Sequence, residues 1–350
     1  MPRLRKADPS APGIERRRRG RGFEYFDQET GEKVDEDFVL DRISALAIPP
    51  AWKEVWVCAD DMGHLQAIGL DAAGRKQYLY HDRWRVRRDQ EKFDRMLRLA
   101  RVLPSVRVEV DQRLAEPGIS REKVLACSIR LLDRGFFRIG GEDYAQAHET
   151  YGLATIKKEH VTVTDDSVLF DYNAKGGLHR LWSLIDPEVA DIVRTLKRRR
   201  GGGDELLAYK KGSIWCDVRS AEINEYLKSV AGEDFSAKDF RTWSGTVLAA
   251  VALAVSGHAT TSVTSKKRAV ARAIKEVAHY LGNTPTVCRK SYVDPRVIDR
   301  FNTGWTIHPV LEALGTDDID GDLSIQGRIE EAVVDLIEDH RNSPSVDKVA

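Results

Sequence analysis

The sequence predicts an α+β protein, with a small N-terminal antiparallel β-sheet domain and a larger, mainly α-helical domain that contains a β-hairpin insertion. Two observations lead to this class. Up to His81, short strand-like runs are separated by turns at Gly63 and Gly74. From about Asp89 onward, apolar residues recur mainly at helical spacing. The 350 residues, of which 42% are apolar, are enough for about two domains with buried cores.

The predicted N-terminal part has two segments. Residues 1–22 contain eight Lys/Arg and almost nothing apolar, so we expect a flexible basic tail that does not fold alone. Residues 23–88 form the β-rich domain, and the basic segment Arg83–Arg88 is taken as its boundary with the helical domain, residues 89–350. The expected elements of the β-rich domain are a helix at 37–46 and strands at 55–59, 64–70 and 76–81.

The helical domain is delimited by capping and turn residues. Ser, Asp or Thr before a helix accepts its first free N–H groups, and Gly ends a helix in the left-handed conformation. Two hairpin turns interrupt the helices between Val161 and Leu184. The signals are Ser120 before a helix at 121–134 with Gly135 beyond, hairpin turns at 165–166 and 175–177, Asp186-Pro187 before a helix that ends at 197–200, Ser236 with Asp239 as an acidic capping box, Gly282 as a helix stop, and Thr284-Pro285 as the next helix start.

Charge and apolar runs restrict the class of protein. Net charge is formally zero, but residues 301–350 carry eleven acidic and three basic residues, so this acidic C-terminal segment has a charge of −8 and the rest +8. A basic body is compatible with DNA binding. The apolar run Val247–Val255 is well short of the ~20 residues that cross a bilayer, and no apolar signal region follows the N-terminus. We therefore expect no membrane partner and a cytoplasmic protein.

Cysteine and histidine spacing predicts no metal centre. The cysteines are widely spaced with no CxxC pair, and the nine histidines form no HExxH motif. A reducing cytosol without structural zinc is the plain interpretation. The four cysteines are Cys58, Cys127, Cys216 and Cys288.

Several basic residues could hold a phosphate. Arg138 precedes Gly140 and Gly141, which permit a turn from which an arginine reaches an anion. Lys238 and Arg241 lie three residues apart in the first turns of a helix and so point from one face beside its N-terminus. A solvated or ion-paired basic pair would give the same pattern.

Two further residues have the chemistry of an acid and of a nucleophile. Lys175 lies in a glycine-flanked turn, where a long flexible ammonium could swing onto a leaving oxygen, or be only an exposed turn lysine. Tyr292 comes about two turns into the helix that starts at Thr284-Pro285, with Asn283 at the hinge before it. A buried tyrosine with a satisfied hydroxyl is the ordinary alternative.

The order Arg138, Lys175, Lys238-x-x-Arg241, Asn283 and then Tyr292 nine residues later resembles the catalytic set of type IB topoisomerases and tyrosine recombinases. Lysine three residues before the second arginine is similar to the topoisomerases, since recombinases usually have histidine there. Poxvirus members have histidine in place of Asn283, whereas bacterial relatives have asparagine. The resemblance is to the bacterial, poxvirus-like branch and spans roughly residues 23–299.

The same resemblance implies DNA contacts in the β-rich domain. The run Gln77-Tyr78-Leu79-Tyr80-His81 looks like the DNA-contacting strand of the poxvirus-like enzymes. Alternation places Tyr78 and Tyr80 on one face and Gln77 on the other, where Gln77 could read base edges while the tyrosines meet sugar and phosphate. An aromatic pair on a sheet face is the alternative. Tyr144 and Lys238 also match DNA-contacting positions of the family.

The resemblance implies relaxation of supercoiled double-stranded DNA through a 3'-phosphotyrosyl intermediate on Tyr292. Arg138, Arg241 and Asn283 would stabilise the transition state, and Lys175 would act as general acid. No ATP and no metal are expected, and the family implies a monomer that closes as a two-domain clamp on nucleoid DNA in the cytoplasm. The alternatives are a tyrosine recombinase or integrase, and a non-catalytic DNA-binding protein on the same scaffold.

Overall fold

The structure is a computed structural model in which the chain divides into two compact units, Met1–Lys92 and Phe93–Ala350. The basic segment Arg83–Arg88 lies inside a long helix that starts at Asp82, so the sequence boundary there is corrected to Lys92. The helix runs without a break through residues 88–93, so no turn marks the limit between the two units. The described residues are 3–232, 234–257, 262–316 and 322–348.

The N-terminal unit is built on an antiparallel sheet. Helix α1 (Asp37–Ala45) contributes Ile43 to an apolar cluster with Val57 and Ala67 of the sheet. The helix and the later strands agree with the sequence prediction to within about two residues. The strands are β1 (Ile14–Arg19), β2 (Gly22–Asp27), β3 (Lys53–Val57), β4 (Leu65–Leu70) and β5 (Lys76–Tyr80). Among the described residues their order in the sheet is β2-β1-β3-β4-β5.

The prediction that residues 1–22 form a flexible basic tail is wrong, because β1 pairs with both β2 and β3. Arg16 is 8% exposed, and its guanidinium lies 4.1 Å from the ring centroid of Phe23. It also donates hydrogen bonds to the carbonyls of Trp52, at 2.7 Å, and Pro49, at 3.3 Å. A planar guanidinium can stack on a ring and satisfy several carbonyls at once, so an arginine-rich strand can be buried at one position.

The second unit is mainly helical and carries a β-sheet insertion, as the sequence predicts. Its elements are α2 (Asp82–Ala115, which begins in the first unit), α3 (Arg121–Gly135), α4 (Glu142–His148), β6 (Val161–Val163), β7 (Ser167–Ala174), β8 (Leu178–Ile185), α5 (Pro187–Arg198), β9 (Ala208–Lys211), β10 (Ile214–Asp217), α6 (Ser220–Ala231), α7 (Ala237–Gly257), α8 (Val263–Leu281), α9 (Pro285–Ser291), α10 (Pro295–Asn302), β11 (Trp305–Thr306), α11 (His308–Thr316), α12 (Asp322–Glu338) and β12 (Asp347–Lys348).

Helix α7 is the central element of this unit. It contacts α3, α8, α10, α11 and α12, and its Phe240 and Trp243 are almost fully buried. The side-chain carboxylate of Asp239 accepts hydrogen bonds from both the backbone N–H and the hydroxyl of Ser236, each at 2.9 Å, which confirms the acidic capping box. A rigid, capped helix in the core holds any residue on it in a fixed position.

The helix ends that the sequence predicts are confirmed here, with one exception. Ser120 and Asp186 cap α3 and α5 through their side chains, and Gly282 ends α8 with φ +60°. Gly135, however, lies within α3, and the residue that leaves the helix in the left-handed conformation is Phe136, with φ +55°. A non-glycine residue at positive φ is strained, so its surroundings must hold it there.

The acidic C-terminal segment is folded onto the second unit. Ala332, Val333 and Leu336 of α12 are buried, and α12 contacts α7 and α10. Arg107 of α2 donates to the carboxylates of Glu330 and Asp133 at 2.7 to 2.9 Å, and all three side chains are largely buried. None of the described helices has the length and apolar character needed to cross a membrane.

Candidate active site

Tyr292 lies at the C-terminal end of α9, where its backbone N–H donates to the carbonyl of Cys288 at 2.9 Å. Thr284 caps the start of this short helix by accepting the N–H of Val287. The side chain of Tyr292 is half-buried. The predicted helix start is therefore confirmed, and two turns of helix separate Tyr292 from the hinge at Asn283.

Arg241 of α7 lies beside Tyr292. Its guanidinium carbon is 5.2 Å from the centroid of the tyrosine ring, and its side chain is almost completely buried. It donates to the carbonyl of Leu281 at 2.7 Å and to the carbonyl of Phe136. Burial, followed by the charge of Arg138, lowers the pKa of Arg241 to about 10, so the group keeps its charge at neutral pH.

Arg138 approaches the same place from the segment after α3. Its Nη2 donates to the Gly282 carbonyl and to Asn283 Oδ1, both at 2.7 Å. The backbone of Arg138 packs directly against Gly152. A Cβ at position 152 would lie 2.5 Å from Gly140 and 2.7 Å from the Arg138 carbonyl oxygen, so only glycine permits this close contact. Burial lowers the pKa of Arg138, and the Tyr292 hydroxyl acts in the opposite direction.

Two buried donors at this site have no hydrogen-bond partner among the described residues, namely Nε of Arg241 and Nδ2 of Asn283. An unpaired buried donor costs roughly 1–3 kcal/mol, so such groups call for an explanation. Arg241 is held by the carbonyl of Leu281 at the end of α8, and the Asn283 side chain is held by Arg138, which donates to its Oδ1. A cationic donor and a neutral amide donor beside a tyrosine form a suitable site for a phosphate diester.

Lys175 is exposed in the turn between β7 and β8. The turn is closed by the pair Ala174 and Leu178, and Gly176 and Gly177 take φ values of +83° and +71°. The structure therefore places Lys175 on the tip of a hairpin, as the sequence predicts.

Lys238 is exposed, whereas Arg241 one turn later is buried. The two side chains differ in burial because the helix enters the core between them, and their service to one anion site stays a prediction. Lys238 remains available to a ligand on the surface, and Arg241 to one that reaches Tyr292.

Sequence reasoning missed Gly245, Tyr172 and Arg180. A Cβ on Gly245 would lie 2.7 Å from the Tyr292 carbonyl oxygen and 3.3 Å from its Cβ. The hydroxyl of Tyr172 is buried near Arg138, Arg180 and Arg241; burial raises its pKa and the three cations oppose that shift. In the sequence, Gly245 could have been noticed as a glycine inside a predicted helix. Tyr172 and Arg180 could have been noticed as residues that face each other across the predicted Lys175 hairpin.

In the N-terminal unit, the predicted face assignment of β5 is confirmed. The rings of Tyr78 and Tyr80 are both exposed and stack at 6.1 Å, whereas Leu79 faces the apolar cluster. Gln77 shares the face of Leu79, and its amide donates to the Asp71 carboxylate at 2.9 Å. This bond uses one of the two N–H groups of the amide, so the other N–H and Oε1 can still meet a base edge.

Tyr144 belongs to α4, but its side chain lies outside the described part of the structure. Across the described residues, no group of three or more His, Cys, Asp or Glu side chains is arranged to hold a metal ion.

Comparison with known proteins gives this geometry a context. The family of the catalytic core of eukaryotic DNA topoisomerase I matches residues 81–304, which is more than half of the chain and includes the whole cluster around Tyr292. The chain belongs to the type IB DNA topoisomerase family. The N-terminal domain of bacterial DNA topoisomerase IB matches residues 22–71 and indicates the bacterial branch. The enzyme is therefore a topoisomerase that relaxes DNA, and the recombinase alternative is set aside.

Individual relatives agree with this family. The enzyme is 28% identical to DNA topoisomerase 1B of Acanthamoeba polyphaga mimivirus over 80% of the chain and 85% of that relative. It is 21% identical to DNA topoisomerase 1B of Vaccinia virus (strain Copenhagen) over 71% of the chain and 75% of the viral protein. It is also 25% identical to DNA topoisomerase 1 of Mycosarcoma maydis, over 57% of the chain but only 22% of the fungal protein.

Proposed function

We propose that the enzyme cuts one strand of duplex DNA with the hydroxyl of Tyr292. The phenolic oxygen attacks the scissile phosphorus, and the bond from phosphorus to the 5'-oxygen breaks as the new bond forms. The tyrosine proton passes to solvent, and the leaving 5'-oxygen takes a proton from the Lys175 ammonium. The reverse transfers religate the strand after rotation has released supercoils.

In this proposal, Arg138, Arg241 and Asn283 hold the non-bridging oxygens of the phosphate. The observation that carries it is the pair of buried donors, Arg241 Nε and Asn283 Nδ2, that have no partner among the described residues beside Tyr292. Donors that are fixed before the substrate binds stabilise developing charge without reorganisation, and each is worth about 10²–10³-fold in rate. Asparagine donates a hydrogen bond here but carries no charge.

The same mechanism requires neither ATP nor a metal ion. The phosphotyrosyl bond keeps the energy of the phosphodiester, so religation needs no external energy source. Two guanidinium groups can balance the charge that a divalent cation balances in many nucleases. We also propose that the enzyme acts as a monomer on double-stranded DNA of the nucleoid in the cytoplasm.

DNA contacts outside the cleavage site are part of the proposal. The exposed rings of Tyr78 and Tyr80 are suited to meet sugar and phosphate, and Lys238 is suited to a phosphate near the start of α7. Gln77 would read a base edge with its Oε1 and second N–H, while Asp71 holds the first N–H. Tyr144 completes the set of proposed contacts.

The experiment is relaxation of supercoiled plasmid in EDTA without ATP, with denaturant trapping of covalent DNA. The wild-type chain should relax DNA and form a 3' adduct, whereas Tyr292→Phe should do neither, because the attacking oxygen is gone. Tyr226→Phe, at a half-buried tyrosine of α6, is the matched control and should behave as wild type. An adduct on Tyr292→Phe would disprove the nucleophile, and loss of wild-type relaxation on chelation would disprove metal independence.

A further inference from the structure

Arg180 of β8 is bound to the end of the helix that precedes the active-site hinge. Its Nη1 donates to the carbonyl of Tyr280 at 2.7 Å and to that of His279 at 3.3 Å. A Cβ on Gly282 would come within 3.2 Å of the same Nη1 and within 3.0 Å of Leu178. The hairpin strand and the end of α8 are therefore in direct contact at the Gly282 cap and the turn before it.

The attachment has a clear physical basis. The last carbonyls of a helix lack partners within it and carry a partial negative charge, so a cation that donates to them is favoured by roughly 0.3–1 kcal/mol or more. Arg138 and Arg241 use the next two carbonyls, those of Gly282 and Leu281. One helix end therefore fixes the two arginines of the cleavage site and the arginine of the hairpin.

The hairpin is held on its other strand as well. The N–H of Tyr151 donates to the carbonyl of Asn173 at 2.7 Å, two residues before Lys175. The cross-strand pair Tyr172 and Arg180 lies one residue further from the turn than Asn173. From there the pairing of the two strands continues to the pair that closes the turn. Movement of the tip is thereby confined to the turn that contains Lys175, because both strands are attached just behind it.

We propose that Arg180 is a positioning residue that anchors the hairpin, just behind its tip, to the C-terminal carbonyls of α8 and so sets the reach of Lys175 to the leaving 5'-oxygen. This inference rests on the proposed role of Lys175 as general acid. In this proposal Arg180 acts through Lys175, and its Nη1 is held by two helix carbonyls. It couples the position of the acid to the segment that positions Asn283 and Tyr292.

The test uses two duplexes with a defined cut site mapped on wild-type enzyme, one with the natural 5'-oxygen and one with a bridging 5'-sulfur at the scissile bond. A thiolate leaves without protonation, so the sulfur duplex no longer needs a general acid. Single-turnover cleavage is measured for wild type, Lys175→Ala, Arg180→Ala and His179→Ala. His179 is the matched control, since it is exposed on the opposite face of β8.

We expect Lys175→Ala to cleave the oxygen duplex ~10²-fold or more slowly. Arg180→Ala should lose ~10-fold to ~10²-fold, since a misplaced catalytic group costs rate in proportion to its displacement. Both variants should come within about 3-fold of wild type on the sulfur duplex. His179→Ala should match wild type on both.

Two results would overturn the positioning role of Arg180. One is an equal loss of rate on both duplexes, which would place Arg180 at the phosphate or in general folding. The other is an unchanged rate on the oxygen duplex. Failure of sulfur to rescue Lys175→Ala would instead refute the general-acid role of Lys175, so the two proposals fail separately.

Discussion

The close contact between Gly245 and Tyr292 shows how a single small residue places the candidate nucleophile. Gly245 lies one helical turn after Arg241 on α7, at a point where the Tyr292 backbone passes the helix. The hydroxyl of the next residue, Thr246, accepts the N–H of Asp294 at 3.1 Å and lies 3.3 Å from the Tyr292 carbonyl. The chain around Tyr292 is therefore held against α7 by contact and by hydrogen bonds.

Gly245→Ala should displace Tyr292 from Arg241. The added methyl group would lie 2.7 Å from a backbone oxygen, so the chain at Tyr292 must shift. We expect cleavage of DNA to fall ~10-fold or more, in line with the sensitivity of catalysis to small misplacements. The measurement is single-turnover formation of the covalent adduct.

Gly315→Ala is the matched control for this substitution, because Gly315 is also helical and an added Cβ meets nothing within 4 Å. It should leave cleavage unchanged and gain up to ~1 kcal/mol of stability from helix propensity. If Gly245→Ala cleaves as fast as the control, the contact does not position Tyr292.

At the scale of elements, the start of α7 is fastened by one buried carboxylate. Asp239 is fully buried and accepts two hydrogen bonds from Ser236. Its other oxygen accepts from Nε and Nη2 of Arg95 at 3.1 and 2.9 Å, which joins α7 to α2. The capping box that the sequence predicts is thus also an ion pair between helices, and it lies two residues before Arg241.

Asp239→Ala should destabilise the fold by about 3 kcal/mol, because it removes a cap and leaves Arg95 and Ser236 without their acceptor. The measurement is the free energy of unfolding in urea. Asp234→Ala, at an exposed ion pair with Lys228, serves as control and should change stability by less than ~1 kcal/mol. Equal losses in the two variants would show that the buried carboxylate has no special role.

At the scale of the whole molecule, the acidic C-terminal segment is part of the second unit's core. Leu336 is 2% exposed, and α12 packs on α10, the helix that directly follows the Tyr292 segment. Arg107 is hydrogen-bonded to Glu330 and Asp133, and these bonds outweigh its burial and raise its pKa. Part of the negative charge of this segment, that of Glu330, is therefore paired with Arg107 inside the protein.

Leu336→Ala should cost about 3 kcal/mol of stability, since it opens a cavity in a packed core. Glu331→Ala, at an exposed position on the same helix, should change stability by less than ~0.5 kcal/mol. Thermal unfolding of both variants at equal protein concentration measures the difference. A solvated C-terminal tail would give the same small change for both substitutions, and that outcome would contradict the packing described.

What the sequence determined by itself is local. Hairpin glycines at 176 and 177, the cap Ser120 and the stop Gly282 act within a few residues, so the elements and the order of the site residues could be predicted from them. The family resemblance then supplied roles that no single motif carries, and the family itself is confirmed by the match over residues 81–304.

What only the tertiary structure decided are contacts between distant parts of the chain. Arg138 meets Gly282 across 144 positions, and Arg180 meets Tyr280 across 100. The burial of Arg16 in β1 likewise depends on carbonyls 33 and 36 residues away, which is why a basic run that resembles a tail folds as a strand. Local patterns report propensity, whereas these contacts depend on how helices and strands pack, and packing is settled by the whole fold at once.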